Sequence, residues 1–368
     1  MTNKKIKICF ITSTIYPLLK KKQKSDFIGG AELQQLLIGE ELVKRGHRVS
    51  YMTLDHGQGL VAQEGDFQII ATYKPGEGVP FLRFFYPRLP KLWSALCRSD
   101  ADIYYLRCAG FLIAPVTLWC RLNRRKVMFC GANDPDFDPD KLKLSPRDKF
   151  LFFWGLKRCD AVVVQNKKQQ ELLKRNFGRQ GVVISNGFAG VNGMIAKGNF
   201  ILWVATIKPH KRPEIFIELA KRFPNERFIM VGGMYKRQKS FYEGIVERAK
   251  TVPNLEFKGF LPLEEVEKLF TQTKVFVNTS EHEGFPNTFL QAWRRGIPVL
   301  SLLDPDHLLS DNPSLGKFVP APVELDQGLK DILNQPDGER AVQIKKFFDE
   351  NFLIEKVVDR YEELFRTM

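Results

Sequence analysis

The 368-residue chain lacks an apolar run long enough to cross a bilayer. Its charge-free apolar stretch, 108–120 (CAGFLIAPVTLWC), is thirteen residues, against the roughly 20 a spanning helix needs. Cysteine is scarce. Cys9, Cys97, Cys108, Cys120, Cys130 and Cys159 form no C-x-x-C pair and no zinc spacing, which excludes a disulfide scaffold and a zinc ribbon. Lying in apolar stretches, they are expected as buried reduced thiols. The five histidines show no H-x-x-x-H spacing, and there is no short-period repeat or low-complexity tract. The N-terminal lysines lead into a short apolar run with no small-residue cleavage site, so no signal peptide is expected and the cytosol is the expected compartment. What remains is globular: 44% hydrophobic and 27% charged, at a length that implies two domains.

The net charge of +14 is one-sided. Residues 1–185 carry 31 Lys and Arg against 17 Asp and Glu, whereas 186–368 carry 25 of each. A basic half fits an anionic partner such as a phosphorylated ligand, a membrane surface or nucleic acid; plain solubility is the ordinary alternative.

Apolar periodicity predicts alternating strands and helices. Strands are expected at 5–13, 47–54, 102–107, 126–130, 160–166 and 181–187. Between them stand a glycine-opened helix after Gly29-Gly30 and helices at 111–122, 147–158 and 170–176. Residues 188–198, with three glycines, read as a linker. The alternation restarts with strands at 199–207, 227–233, 255–261, 275–280 and 297–302 and helices at 213–223, 241–251, 263–273 and 287–295. The tail, 340–366, reads as one or two helices. The fold class is therefore α/β, with two Rossmann-like β/α/β domains at 1–187 and 199–340 and ligands expected outside the carboxyl ends of the strands.

The densest chemistry lies at 280–298, SEHEGFPNTFLQAWRRGIP. A strand ends, Pro286 opens a helix, and the amides of Asn287 and Thr288 face outward as an anion site. Glu283 precedes the helix tip, and Gln291 lies about 7.5 Å along it at 1.5 Å per residue. A diphosphate at the tip would then have one sugar beside each, the layout of a nucleotide-sugar. A solvent-exposed Glu and a surface Gln are the plainer alternative.

This segment resembles the E-x7-E region of family 4 glycosyltransferases, which have the two-domain GT-B fold. Gly29-Gly30-Ala31-Glu32 is similar to their glycine-rich motif, Asn186-Gly187 to the turn ending their N-terminal domain, and 203–220 to their first C-domain β-α unit. The resemblance implies a retaining, metal-independent, hexosyltransferase-type enzyme with no cofactor. The N-terminal domain would take a saccharide or lipid-linked acceptor and the C-terminal domain a nucleotide-sugar donor, in cell-surface polysaccharide or glycan synthesis, with the domains facing across a cleft. It assigns Glu283, Asp134 and Asn133 to the chemistry. Gly29, Gly30, Lys208, Lys211, Asn287 and Thr288 fall to the donor diphosphate, and Gln291, Gly233, Phe260 and Leu261 to the ribose and base. The C-terminal helix or helices, 341–368, are expected to cross back to the first domain. Three positions depart from the pattern: Gln291 stands for the second Glu, Thr206 for an Arg five residues before Lys211, and Gly131-Ala132-Asn133-Asp134 for a His-Asp loop.

Two segments admit several readings. The aspartates of 134–140, DPDFDPD, match a metal clamp or a calcium loop in part, but Pro139 stands where the loop needs glycine; an acidic proline-rich turn is the favoured alternative. Residues 81–98, FLRFFYPRLPKLWSALCR, mix aromatics with cations, as in membrane-surface segments, in single-strand binders, or in a helix with a buried aromatic face. An anionic membrane surface at its inner face is the partner expected there, and nucleic acid is not. A nucleotide-sugar epimerase, a phosphorylase-like enzyme and, less favoured, a basic nucleic-acid binder are the alternative functions.

Overall fold

The computed structural model describes residues 5–19, 29–80, 82–191, 198–235, 238–335 and 337–368. The lysines after the first strand (Lys20–Lys22 and Lys24), Phe81 and the central part of the expected linker, 192–197, lie outside the described residues. The chain divides into two compact units. One holds residues 5–19, Gly29–Ser185 and Val357–Met368, and the other Asn186–Lys356.

The first unit runs β1 (Lys7–Ile11), α1 (Tyr16–Leu19), α2 (Gly30–Lys44), β2 (Arg48–Thr53), β3 (Val61–Glu64), β4 (Phe67–Ala71), α3 (Leu89–Ser99), β5 (Ile103–Arg107), α4 (Ile113–Leu122), β6 (Lys126–Cys130), α5 (Pro146–Leu156), β7 (Ala161–Val164), α6 (Lys167–Phe177) and β8 (Val182–Val183). Among the described residues its sheet is ordered β3-β4-β2-β1-β5-β6-β7-β8, parallel except for the β3–β4 hairpin. Central strands such as CFI in β1, VMFC in β6 and AVVV in β7 are buried throughout, the mark of a sheet covered on both faces. Side chains set several helix starts: Ser145 Oγ accepts the Asp148 N–H and Asn166 Oδ1 the Gln169 N–H, each satisfying a first-turn amide.

The second unit runs β9 (Phe200–Val204), α7 (Pro213–Arg222), β10 (Phe228–Val231), α8 (Lys239–Lys250), β11 (Leu255–Phe257), α9 (Leu263–Phe270), β12 (Thr273–Asn278), α10 (Asn287–Trp293), β13 (Val299–Ser301), α11 (Leu308–Asp311), β14 (Gly316–Phe318), α12 (Leu325–Leu333) and α13 (Asp337–Asn351), and the chain closes with α14 (Ile354–Thr367). Its strands are parallel in the order β11-β10-β9-β12-β13-β14. Its core packs Trp203, Phe216, Phe228 and Met230 against Leu325 and Leu329 of α12.

Several boundaries differ from the sequence reading. The division falls between Ser185 and Asn186, ahead of the expected linker. Phe188, read as linker, bridges Leu353: its N–H donates to Phe352 O at 3.0 Å and its carbonyl accepts the Ile354 N–H at 2.9 Å. The two tail helices part company, α13 with the second unit and α14 from Val357 onward with the first. In the first unit Arg45 and His47 both reach Glu362, at 3.0 and 2.7 Å. Pro286 precedes α10 in extended conformation rather than opening it: it stands at the N-cap, and its carbonyl takes the Phe289 N–H. Cys97 and Cys108 are exposed; Cys97 lies on the outer face of α3, whose inner face is Leu92, Ala95 and Leu96.

Candidate active site

In the second unit the strand order reverses between β9 and β12, the point where parallel sheets open a crevice beyond their carboxyl ends. The loop after β9 carries Lys208, His210, Lys211 and Arg212, and the loop after β12 carries Ser280, His282 and Glu283. Hydrogen bonds lace the two loops together. Thr279 Oγ1 donates to Lys211 O at 2.7 Å and accepts Trp203 Nε1 at 2.9 Å. Arg212 donates to Thr279 O and Ser280 O at 2.8 and 3.1 Å, and the Glu281 N–H to His210 O at 2.8 Å.

This lacing brings Lys211 and Glu283 into direct contact, ammonium to carboxylate, with Ser280 Oγ donating to the same oxygen at 2.9 Å. Both side chains are 16% exposed. Burial pushes the Glu283 carboxyl up. The Lys211 charge and hydrogen bond and the Ser280 hydroxyl outweigh that and hold it below the usual glutamate range. The sequence reading gave these residues separate ligand groups; the structure makes them one ion pair. His210 and His282 stack beside it, ring centroids 4.8 Å apart. Burial, then the charges of Lys211, His282 and Lys208, push the His210 imidazole down to about 4, with Glu283 opposing. The Lys208 ammonium lies 4.1 Å from the Tyr235 ring centroid.

The loops after β9, β10 and β11 are also tied together. The Gly232 N–H donates to Gly259 O at 2.9 Å and the Ile207 N–H to Gly233 O at 3.1 Å. A Cβ at Gly232 would lie 2.3 Å from Ala205 O, so only glycine allows this approach. Gly233, Phe260 and Leu261 thereby follow one sheet edge. At α10, Asn186 Nδ2 donates to Phe285 O and Asn287 Oδ1, both at 2.8 Å, bracing the segment that leads to Thr288. Gln291 is buried, and its amide donates to Glu267 Oε1 on α9 at 2.7 Å. Glu267 also meets Arg294 and Arg295. Sequence reasoning missed this cluster; two adjacent arginines at the end of an otherwise apolar helix, FLQAWRR, were the signal that a buried counter-ion was needed.

In the first unit Gly29 precedes α2 in extended conformation and Gly30 begins it. Glu32 folds back so closely that a Cβ on residue 29 would lie 2.0 Å from its Oε2, while its Oε1 accepts Thr14 Oγ1 at 2.6 Å. The helix start that was read as a phosphate cradle is therefore lined by a carboxylate. Asp134 is buried against Lys168 at 2.7 Å and Gln169 at 3.3 Å, and Asn133 is exposed beside it. Asp136 accepts the N–H groups of Ala132, Asn133 and Ala109 at 2.7, 3.2 and 3.4 Å. Asp138 accepts the Asp140 N–H at 3.2 Å. These aspartates hold the turn itself together, and among the described residues no three His, Cys, Asp or Glu side chains gather as a metal site.

Residues 28–189 match the family model Glycosyltransferase Family 4, and residues 190–304 match Glycosyl transferases group 1. The chain is a family 4-type glycosyltransferase. No curated protein matches it. Solved structures share its GT-B fold. HepE of Anabaena, in complex with UDP and glucose, has a TM-score of 0.76 at 14% identity over 99% of this chain and 100% of its own. Sucrose-phosphate synthase of Thermosynechococcus elongatus gives 0.76 at 17%, covering 98% of each chain. The catalytic domain of Arabidopsis thaliana starch synthase IV, bound to ADP and acarbose, gives 0.71 at 12%, covering 99% of each. At these identities the likeness bears on the fold, and the glycosyltransferase's own site rests on its own residues.

Proposed function

We propose that this glycosyltransferase moves a hexosyl group, with retention and without a metal, from a nucleotide-sugar to a saccharide or lipid-linked saccharide in cell-surface glycan synthesis. The observation that carries the reading is the Lys211–Glu283 pair at the β9/β12 switch point. An arriving diphosphate competes with Glu283 for the Lys211 ammonium. Glu283, released from part of that contact, then accepts hydroxyls of the donor sugar. As the sugar–phosphate bond breaks, negative charge grows on the leaving diphosphate, and Lys211 stabilises it where little water competes. Lys208, Asn287 and Thr288 are the further candidates of the second unit for the same group. Gln291 faces the ribose, with Gly233, Phe260 and Leu261 along the base. Asp134 and Asn133 remain acceptor-side candidates, with Asp134 acting through the turn it fixes. Attack on the face the diphosphate leaves gives retention. HepE with UDP and glucose supports a donor of this class.

The acceptor side is proposed to work at an anionic membrane. In the first unit Val79, Leu82, Phe85 and Tyr86 are 65–75% exposed. Phe84 beneath them is pinned by Phe111 and the Arg147 guanidinium. Exposed apolar side chains on the basic half of the chain suit a negatively charged lipid surface. No helix among the described residues is long and apolar enough to cross a membrane.

The test is incubation with UDP-, ADP- and GDP-hexoses and lipid or oligosaccharide acceptors, in excess EDTA, with product anomers read by NMR. An α-linked product from an α-linked donor supports the reading. Donor isomerised without transfer, or activity abolished by EDTA and restored by manganese, refutes it.

A further inference from the structure

Gln291 lies eight positions beyond Glu283, buried, with its amide nitrogen 2.7 Å from Glu267 Oε1. Glu267 is anchored from behind. Arg294 meets its other oxygen, as does Arg295 at 2.5 Å. Those arginines are fixed in turn: Arg294 by Ala189 O at 3.1 Å and the Phe188 ring at 4.7 Å, Arg295 by the main-chain carbonyl of Gln291 at 3.2 Å.

A carboxylate gripped by two guanidinium groups accepts hydrogen bonds and donates none. Only the NH2 limb of Gln291 can face it. The orientation of a carboxamide is ordinarily a matter of assignment, but here the neighbour's chemistry fixes it. The carbonyl limb is left on the side away from Glu267, and among the described residues nothing donates to Gln291 Oε1.

We propose that Glu267 is a positioning residue that locks the Gln291 carboxamide so that its carbonyl oxygen is presented to the ribose hydroxyls of the donor nucleotide. The proposal rests on the donor reading above and goes further, because it assigns a residue on a different helix to that recognition. It also accounts for glutamine at this position. A glutamate at 291 would set two carboxylates in hydrogen-bond contact, an arrangement both cannot keep while ionised. Gln291 and Glu267 are thus a matched set.

The experiment is calorimetry with UDP, ADP and GDP, then with the 2′,3′-dideoxy form of whichever binds, on wild type, Glu267→Gln and the exchanged pair Glu267→Gln/Gln291→Glu. Wild type should prefer the hydroxylated nucleotide about tenfold, roughly the worth of one hydrogen bond. Glu267→Gln should lose that preference while holding the dideoxy form as before, because an amide at 267 no longer dictates which limb of Gln291 faces it. The exchanged pair keeps one carboxylate and one amide and should regain the preference. Equal weakening of both nucleotides in Glu267→Gln, with the ratio unchanged, would mean a purely structural ion cluster and would overturn the proposal. So would an exchanged pair, folded by its melting temperature, that fails to regain the ratio. Wild type that binds a diphosphate without regard to the hydroxyls refutes this inference alone. Wild type that binds none of the three refutes the donor reading as well.

Discussion

Replacing Glu283 by Gln separates the two tasks of the Lys211–Glu283 pair. The side chains are nearly isosteric, so Ser280 keeps its bond, but Lys211 loses its compensating charge in a site only 16% exposed. Removing one partner of a buried pair costs about 3–5 kcal/mol; an amide that still accepts from Lys211 recovers part, leaving about 1–3 kcal/mol. At about 2–4 °C per kcal/mol for a domain of this size, the unliganded melting temperature should fall by roughly 2–12 °C. Diphosphate binding then supplies the missing anion. If the unpaired ammonium tightens binding about tenfold, the thermal shift at fixed saturating ligand grows by about 1.4 kcal/mol. Turnover moves the other way. Loss of a charge-assisted bond to the donor sugar, about 1.5–3 kcal/mol, slows saturated turnover roughly 10- to 150-fold.

The assay is differential scanning fluorimetry with and without the diphosphate, paired with donor-saturated turnover. A variant less stable alone, more strongly stabilised by ligand and slower in turnover is the expected outcome. Wild-type turnover, or an unaltered ligand shift, would refute the reasoning. The pH dependence has a definite sign. The folded-state carboxyl titrates below its unfolded value, so its contribution is complete above the ordinary glutamate range and disappears as pH falls through the lower folded value. The stability gap between wild type and variant should be flat near neutrality and close in acid.

Three further outcomes are expected. Lys211→Ala should weaken a nucleoside diphosphate far more than the free nucleoside, because the ammonium acts on phosphate as a point charge; equal calorimetric losses would assign the lysine to the fold. His210, pushed down to about 4, makes the folded state bind fewer protons than the unfolded chain between that value and 6.5, so stability drops across this window as pH falls; urea midpoints of His210→Gln should depend less on pH there, and an identical slope would count against it. Phe85→Ser with Tyr86→Ser should release the protein from anionic vesicles in low-salt co-sedimentation, with unchanged binding assigning the exposed aromatics elsewhere. Arg88 and Lys91 suit that test poorly, since Arg88 donates to Glu77 O at 3.0 Å and Lys91 is ion-paired with the Glu77 side chain.

The fold was legible because its strands are buried on both faces and read as short unbroken apolar runs between helical periods. VMFC, AVVV, FIMV and FVN announce a parallel sheet without partners being known. The β3–β4 hairpin was not legible, since β3 lies at the sheet edge as VAQE with no buried side chain and its alternation carries no apolar signal. Nor was α12, where Leu325, Leu329 and Ile332 are spaced for a helix face but follow a stretch broken by prolines.

At the site, the sequence located residues and could not pair them. Glu283 and Lys211 are 72 positions apart, and Gln291 and Glu267 are 24; each contact exists only once β9 and β12 lie side by side and α9 packs on α10. Charge is what the linear reading mishandles. It treated Lys211, Gly29 and Asp134 as groups awaiting a ligand, but burial compels each charge in or beside them to find a partner first: Glu283 for Lys211, Lys168 for Asp134, and Thr14 for the Glu32 carboxylate that lies against Gly29. A ligand entering such a site does not meet bare charges. It exchanges partners with them, and the free energy of recognition is the difference between two sets of hydrogen bonds. That is why Glu283→Gln is expected to strengthen diphosphate binding while weakening catalysis, a pairing of effects that a reading of Lys211 as an unpaired cation would not produce.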